Sequence, residues 1–491
     1  MKRIHELLNN KPPNSLAIID FEGSEYNYLK LKQMSSLLAK KLIAHGILGG
    51  DRVVLVSENS AMYAVVIFAL SEINAWSVLV NARQSRKELT AVIQHSKAKC
   101  VLFTTESSKD AKIHANFLNA KTIGKLDCGP IVCTSINKQE PEEVINSGEQ
   151  VATLLYTTGT TSEPKGVMLT HNNLLFNASN SANYIGLNCN DRVLGVLPGT
   201  HIYCLASAFL PIIFAGGSIK FVPRFRPIEV LKFLRDGITR FPGVPQMFAS
   251  IIELLDQNNE KLEAPKLRNL ATGGAPLDPD LKKQIEEIFG LQLNNGYGIT
   301  ETSPTISVTT NEYPRTDLSV GFAMPDVEVK IRNPNQENIG EILVRGKNIM
   351  KGYYREPKMT KDAITPDGFF KTGDLGYIEP DGSIFVVGRL KELIIRSGFN
   401  VYPPEVEAML TKHPSVYQSA VIGRNIKNNE EILAFILTDG SITENILKLW
   451  LKKQLAPYKI PQRIFIIKQF PTAATGKILK HKLLSHFADI L

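Results

Sequence analysis

The sequence is poor in cysteine and has no long apolar run. Its 491 residues include only Cys100, Cys128, Cys133, Cys189 and Cys204. The number is odd and no two make a C-x-x-C pair, which excludes a disulfide-stapled scaffold, a zinc ribbon and a dithiol redox motif. A reducing, cytoplasmic location is expected. No stretch reaches the roughly 18 uninterrupted apolar residues of a membrane span. The best candidate, residues 61–80, is broken by Ser71, Glu72 and Asn74, and residues 203–215 are too few. The N-terminal MKRIHELLNNKPP has charge but no apolar segment behind it, so it does not read as an export signal. The nine histidines form no H-E-x-x-H or comparable pair, so a catalytic metal held by protein side chains alone is not expected. The nucleotide loop G-x-x-x-x-G-K-[ST] is also missing.

What is present is ordinary for folded proteins: 43% hydrophobic and 21% charged residues, with 34 glycines and 27 prolines. Disordered and collagenous classes are excluded. At roughly 100 to 200 residues per domain, the length suggests two to four domains. The net charge of +8 is uneven. Residues 389–491 carry 15 Lys and Arg against 8 Asp and Glu, so nearly all the excess lies in the last fifth of the chain. On charge alone such a basic module suits an acidic ligand, a membrane face or nucleic acid, or is a solvated surface with no partner.

The hydrophobic pattern alternates between periods. Leu31, Met34, Leu38 and Leu42 share one helical face, and residues 53–56 read as a buried strand. A helix near 60–70, a strand at 78–80, a helix near 86–94 and a strand at 100–103 continue the βαβ alternation of a parallel, doubly wound sheet. The alternation resumes over about 172–290. From Pro325 the texture changes: Val327, Val329 and Ile331 alternate with charged residues, residues 342–344 and 384–387 read as strands, and Asp381-Gly382 signals a hairpin. Residues 325–388 are expected to form a small antiparallel sheet or barrel. Beyond them come a helix over 405–412 entered through Pro403 and Pro404, strands at 416–422 and 432–437, a helix at 444–455 and a strand at 464–467. The expected architecture is α/β: a large N-terminal domain, 1–389, of doubly wound mixed sheets with a small β-barrel subdomain, then a small mobile α+β domain, 390–491.

The most informative segment is V-A-T-L-L-Y-T-T-G-T-T-S-E-P-K-G, residues 151–166. An apolar strand enters a loop of small hydroxyl residues. Gly159 lets backbone N–H groups approach an anion, the hydroxyls of Thr157, Thr158, Thr160, Thr161 and Ser162 can donate, and Lys165 brings charge to terminal phosphates. Further segments follow in order: T-G-G-A-P-L at 272–277, G-Y-G-I-T-E at 296–301, G-E-I-L-V-R-G at 340–346, K-T-G-D at 371–374, G-R-L-K-E-L-I at 388–394 and T-G-K at 475–477. Over nearly its whole length the chain resembles the adenylate-forming superfamily of AMP-binding enzymes, in particular the branch of acyl-CoA synthetases and aryl-CoA ligases.

That resemblance implies ATP-dependent activation of a carboxylic acid as acyl-AMP, then transfer to a thiol, with ATP, Mg²⁺ and CoA as cofactor and co-substrates. A carboxylate is a poor acyl donor, and its adenylation gathers negative charge that needs cations and oriented donors. Carried over by position, the resemblance implies that Lys477 bridges the acid and the α-phosphate, Glu301 helps hold Mg²⁺ and Thr300 contacts the α-phosphate. It implies that Asp374 accepts the ribose hydroxyls with Arg389 close by. Gly274, Ala275 and Pro276 with Tyr297 and Gly298 would enclose the adenine, and His201 would gate the acyl tunnel. Lys391 stands at the hinge position, and Gly398 would line a pantetheine tunnel.

Loading of a carrier-protein phosphopantetheine is the alternative to CoA, and a non-catalytic nucleotide- or nucleic-acid-binding module is a more distant one. No nucleic acid is expected as partner, and a monomer and a homodimer both remain open. Three positions depart from the family pattern: Ser162 for a common glycine, Asn295 for a common glutamine, and Thr472 for a common basic residue. The acyl lining is expected from residues 201–209, 240–247 and 271–276. It reads as apolar and small with no dedicated cation, which favours an apolar fatty or aryl acid.

Overall fold

The computed structural model describes residues 2–157, 164–397, 399–426, 429–472 and 478–490. The chain divides into two compact units, Met1–Val329 with Val344–Phe370, and Lys330–Leu343 with Lys371–Leu491.

In the first unit the expected alternation is present, with boundaries set by local chemistry. The helix Tyr28–Ala44 begins where the Asn27 side chain accepts the Lys30 N–H at 2.8 Å. The helix Arg86–Ser96 starts with a reciprocal capping box between Ser85 and Glu88. Between them run the buried strands Arg52–Ser57 and Trp76–Asn81, with Cys100–Phe103 after the second helix. These three pair in parallel, and Val151–Thr157 joins them in parallel beside Trp76–Asn81. Antiparallel strands flank this centre: Lys165–Thr170 and then Gly352–Tyr353 on one side, Gly129–Cys133 and Lys121–Leu126 on the other.

A second sheet of nine strands has a parallel centre made by Asn269–Gly273, Arg240–Gly243, Arg192–Gly195 and Ser218–Phe221. The largest core brings Leu55 and Leu79 of the first sheet together with Val193 and Ile219 of the second, and buries the apolar helix Ala61–Glu72 with them. The other face of the nine-stranded sheet carries a separate core with Leu194, Phe241, Leu270 and Leu293. A helical stretch from Ile202 to Ala215, with a π-helical turn at Leu205–Phe209, packs on the Val193 side. No helix among the described residues is long and apolar enough to cross a membrane.

One buried cation in this unit is met by backbone. Arg52 is 1% exposed, and its guanidinium donates to the carbonyls of Ser96, Gly50, Glu140 and Lys97 at 2.9–3.1 Å. A buried cation is tolerated when its donors are used in this way.

His171, fully buried at the start of the helix His171–Tyr184, accepts the Ile4 N–H on Nδ1 at 3.3 Å. Burial, then the charges of Arg3 and His5, lower its pKa from 6.5 to about 3. The folded protein therefore keeps this ring neutral, whereas the unfolded chain takes up a proton below its ordinary pKa. Stability from this group is complete above pH 6.5 and is lost as pH falls toward 3, by about 2 kcal/mol at pH 5. Urea unfolding is expected to show this loss between pH 7 and pH 5, and His171→Leu is expected to flatten it. An equally steep loss in the variant would contradict the assignment.

In the second unit, Phe370–Ile378 pairs antiparallel with Ile384–Arg389 within a four-stranded sheet that also contains Val327–Arg332 and Gly340–Gly346. The remainder is α+β: a hairpin of Ile394–Arg396 and Phe399–Val401, the helix Pro403–Thr411, a three-stranded sheet of Val416–Ile426, Asn429–Thr438 and Arg463–Ile466, and the helix Glu444–Lys452. Val406, Leu410, Val421, Ile432, Leu447 and Leu451 meet in its core.

Candidate active site

The hydroxyl-rich segment is the connection of a hairpin. Val151–Thr157 and Lys165–Thr170 pair antiparallel, with Thr157 opposite Lys165. Thr158, Gly159, Thr160, Thr161 and Ser162 lie outside the described residues. The strands on either side fix where the loop leaves and rejoins the sheet.

Gly273 and Gly296 are register partners on adjacent parallel strands of the second sheet. The chain leaves the first strand through Gly274, whose φ of +76° is the left-handed conformation that suits glycine, into an exposed turn with Ala275 and Pro276. Tyr297 and Gly298 end the neighbouring strand and are half-buried. A Cβ on Gly298 would stand 2.0 Å from the Pro304 carbonyl oxygen, so close backbone packing explains that glycine in G-Y-G. Thr300 and Glu301 follow in a short 3₁₀ turn, both half-buried.

Glu301 is anchored at two points. Its carbonyl accepts the Met350 N–H at 2.9 Å, and its Oε1 accepts the Tyr353 hydroxyl at 2.9 Å. Tyr353 in turn pairs with Val167 on the outgoing strand of the hydroxyl-loop hairpin. One tyrosine thus ties a carboxylate at the edge of the second sheet to the hairpin of the first. Burial, then the Glu301 charge, push the Tyr353 phenol well above its usual pKa, so it remains a donor at neutral pH. The sequence reading did not find Tyr353. Its only local signal is the pair Tyr353-Tyr354, which has no distinguishing spacing.

His201 is exposed at the start of the Ile202–Cys204 turn, where its Nδ1 accepts the Tyr203 N–H at 3.3 Å. Asn295 is buried, and its side-chain amide donates to the Leu318 and Ser319 carbonyls at 3.3 Å. That departure from the family pattern therefore braces the 318–319 loop.

The second unit carries its own constellation. Asp374 and Arg389 are register partners, and Arg389 Nε lies 2.9 Å from Asp374 Oδ1. The Asp374 N–H donates to the Thr372 hydroxyl oxygen, which donates to the Ile342 carbonyl at 2.7 Å. Lys391 sits in the 3₁₀ turn Leu390–Glu392. Gly398, Thr475, Gly476 and Lys477 lie outside the described residues. The residues beside the last three are placed: Thr472 and Ile478 form an antiparallel bridge, and the Leu479 N–H donates to the Pro471 carbonyl at 2.8 Å. Lys480, also not foreseen, lies 3.0 Å from Glu392 and 2.8 Å from Glu407. Burial opposes its charge, but these two carboxylates hold its pKa above the usual lysine value. It ties the Leu390–Glu392 turn to the helix Pro403–Thr411.

No group of three or more metal-binding side chains occurs among the described residues. Glu301 is a single oriented carboxylate, which fits an ion held mainly by the oxygens of a nucleotide.

Comparison with known proteins shows the family and the fold. Residues 6–354 match the model of the AMP-binding enzymes, and residues 405–477 that of the AMP-binding enzyme C-terminal domain. The chain is 31% identical to a putative acyl-CoA synthetase, YngI, of Bacillus subtilis, over 96% of this chain and 94% of that protein. It is 33% identical to a feruloyl-CoA synthase of Amycolatopsis sp over 95% and 94%. Among solved structures, the o-succinylbenzoate CoA synthetase of Bacillus subtilis in complex with its acyl-adenylate intermediate superposes with a TM-score of 0.84, at 28% identity and 98% coverage of both chains. ATP-bound MatB from Rhodopseudomonas palustris superposes with a TM-score of 0.85, at 28% identity over the full length of both.

Proposed function

This chain belongs to the AMP-binding enzyme family, and we propose that within it the protein is an ATP-dependent, AMP-forming acid:CoA ligase. One observation carries the reading furthest: Tyr353 fastens the Glu301 carboxylate to the hairpin whose loop has the composition of a phosphate cradle.

In the first half-reaction a carboxylate oxygen of the acid attacks the α-phosphorus of ATP, the bond to the β-phosphate oxygen breaks, and pyrophosphate leaves. Thr157, the hydroxyls and N–H groups of residues 158–161 and Lys165 would hold the departing phosphates, Glu301 would hold Mg²⁺ together with phosphate oxygens, and Thr300 would donate to the α-phosphate. Mg²⁺ supplies charge neutralisation at those oxygens. The Asp374 carboxylate, set by Arg389, accepts the ribose hydroxyls. Gly274, Ala275 and Pro276 with Tyr297 cover the adenine, and Lys477 neutralises the approaching carboxylate. In the second half-reaction the CoA thiol adds to the acyl carbon, loses its proton, and AMP departs. Gly398 lines the approach of the pantetheine, His201 gates the acyl tunnel, and Lys391 is the hinge that alternates the C-terminal domain between the half-reactions.

Incubation with ATP, Mg²⁺ and a panel of fatty and aryl acids, with and without CoA, is expected to yield AMP, with acyl-CoA identified by mass for one acid class. Acyl-adenylate with no thioester would replace CoA by a carrier-protein pantetheine. Tyr353→Phe is expected to slow adenylation about tenfold and to raise the Mg²⁺ concentration for half-saturation, because an unheld carboxylate is a poorer ligand. Unfolding should change by no more than about 1 kcal/mol, the worth of one hydrogen bond. An unchanged Mg²⁺ dependence would remove Tyr353 from this role.

A further inference from the structure

Arg240 opens the strand Arg240–Gly243 in the centre of the nine-stranded sheet and is 5% exposed. Its register partners are Val193 and Asn269. Val193 belongs to the core on the helical-stretch side, whereas Phe241, the next residue, belongs to the core on the opposite face. Arg240 therefore faces the layer formed by residues 202–215.

No hydrogen bond is made by this guanidinium among the described residues, and its Nε and Nη1 are fully enclosed without a partner. The other buried cations each make at least one hydrogen bond, although Arg3 Nη1 is also without a partner. Arg52 donates to four carbonyls, Lys220 to Asp20 and Phe21, Lys282 to Arg315, and Arg3 to Ile145. The carboxylate whose charge acts on it, Asp191, is already taken by Arg268 and by the Thr239 hydroxyl. Burial lowers the Arg240 pKa to about 10, with Tyr203 and Asp191 opposing and Arg268 assisting, so the charge is retained at neutral pH. An enclosed, unpaired cation costs several kcal/mol in a folded protein and calls for a partner.

What lies beside it is the lining assigned to the acyl group. Half-buried Tyr203 reaches the Gly243 carbonyl at 3.5 Å from its hydroxyl, at the far end of the Arg240 strand. A Cβ on Gly273 would stand 3.7 Å from the same hydroxyl. Tyr203 thus covers the strand ends from which the Gly274 turn departs, while Arg240 occupies the same face further down.

We propose that Arg240 is a specificity-determining residue whose guanidinium binds a second, distal carboxylate of the acid substrate, so that the enzyme takes a diacid, aliphatic or aryl, with only one carboxyl activated. This rests on the ligase reading and replaces the expectation of a lining without a dedicated cation. The carboxylate completes the charge and hydrogen bonds that the fold leaves unmet. A matched monoacid leaves them unmet and is rejected, as sites built for a polar group reject analogues lacking it.

The test uses the full-length protein and matched pairs: the diacids from malonate to suberate and the carboxyphenylpropanoates, each beside its distal monoamide. Calorimetric binding is read without ATP, and pyrophosphate release with ATP. At least one diacid is expected to exceed its monoamide by on the order of 100-fold in both affinity and kcat/KM. In Arg240→Met this preference should collapse to within a fewfold, and Arg240→Lys should restore part of it. Without ligand, Arg240→Met should melt no lower than the parent, since an unpaired buried charge is removed. No preference in the parent protein, a preference kept in Arg240→Met, or a lower melting temperature in that variant would overturn the proposal. Arg240-dependent diacid binding without any pyrophosphate release would instead overturn the ligase reading and leave the anion site standing.

Discussion

Lys477→Ala is expected to abolish adenylate formation while leaving intact the thiolysis of an acyl-adenylate supplied from outside. The cause is electrostatic. In the first half-reaction a carboxylate approaches a triphosphate, and charge builds on the α-phosphoryl oxygens as the pyrophosphate bond breaks. A lysine between the two anions offsets that repulsion most in the transition state, so its loss is expected to lower the rate roughly 100- to 1,000-fold. In the second half-reaction the acyl carbon is already activated, and the thiol needs no such bridge. Residues on either side of the lysine are suited to presenting it: the Thr472–Ile478 bridge closes the loop base, and Lys480 is fixed between Glu392 and Glu407. Separate assays of the two half-reactions decide the matter. Equal loss in both would remove Lys477 from this role.

Lys391→Pro is expected to separate the same half-reactions in another way. Leu390, Lys391 and Glu392 form a 3₁₀ turn. Proline at 391 would fix φ there and disfavour the helical conformation at Leu390. If this turn is the hinge between two catalytic conformations, one of them becomes inaccessible. One half-reaction should then fall by roughly 100-fold or more, an effect of misplaced catalytic groups, while the other is retained. Unchanged rates in both would exclude the hinge. Lys391→Ala, which keeps the backbone free, should restore the lost step and so separate the hinge from any contact made by the lysine side chain.

The elements that could be read in the sequence are those whose cause is local. Asn27 and the Ser85–Glu88 box announce helices within a few residues, and Val53 to Val56 is apolar whatever its neighbours are. The helix expected over 405–412 begins earlier, at Pro403, because proline suits a first helical position. The motifs singled out Thr157, Lys165, Tyr297, Glu301, Asp374 and Arg389, but Thr157 and Lys165, expected in the loop, lie on the paired strands at its two ends. What escaped notice depends on distant register. Tyr353 meets Glu301 only because Gly352 pairs with Met168, far away in the chain. Lys480 looks like one charge in a basic tail until Glu392 and Glu407 surround it. Arg240 stands in the sequence only as the first residue of a segment expected to line the acyl site, and its pairing with Val193 and Asn269 is what encloses it. A sequence shows that a residue is charged. Its burial and the partners available to it come from the fold.

The central claim is that a carboxylate oxygen becomes bonded to the α-phosphorus of ATP, and oxygen labelling tests it most directly. An acid that is turned over is prepared with ¹⁸O in its reacting carboxyl group and converted completely with ATP, Mg²⁺ and CoA. One labelled oxygen is expected to appear in AMP, with pyrophosphate unlabelled and acyl-CoA retaining the other. Label in orthophosphate together with ADP would show an acyl phosphate in place of an adenylate and would contradict the account.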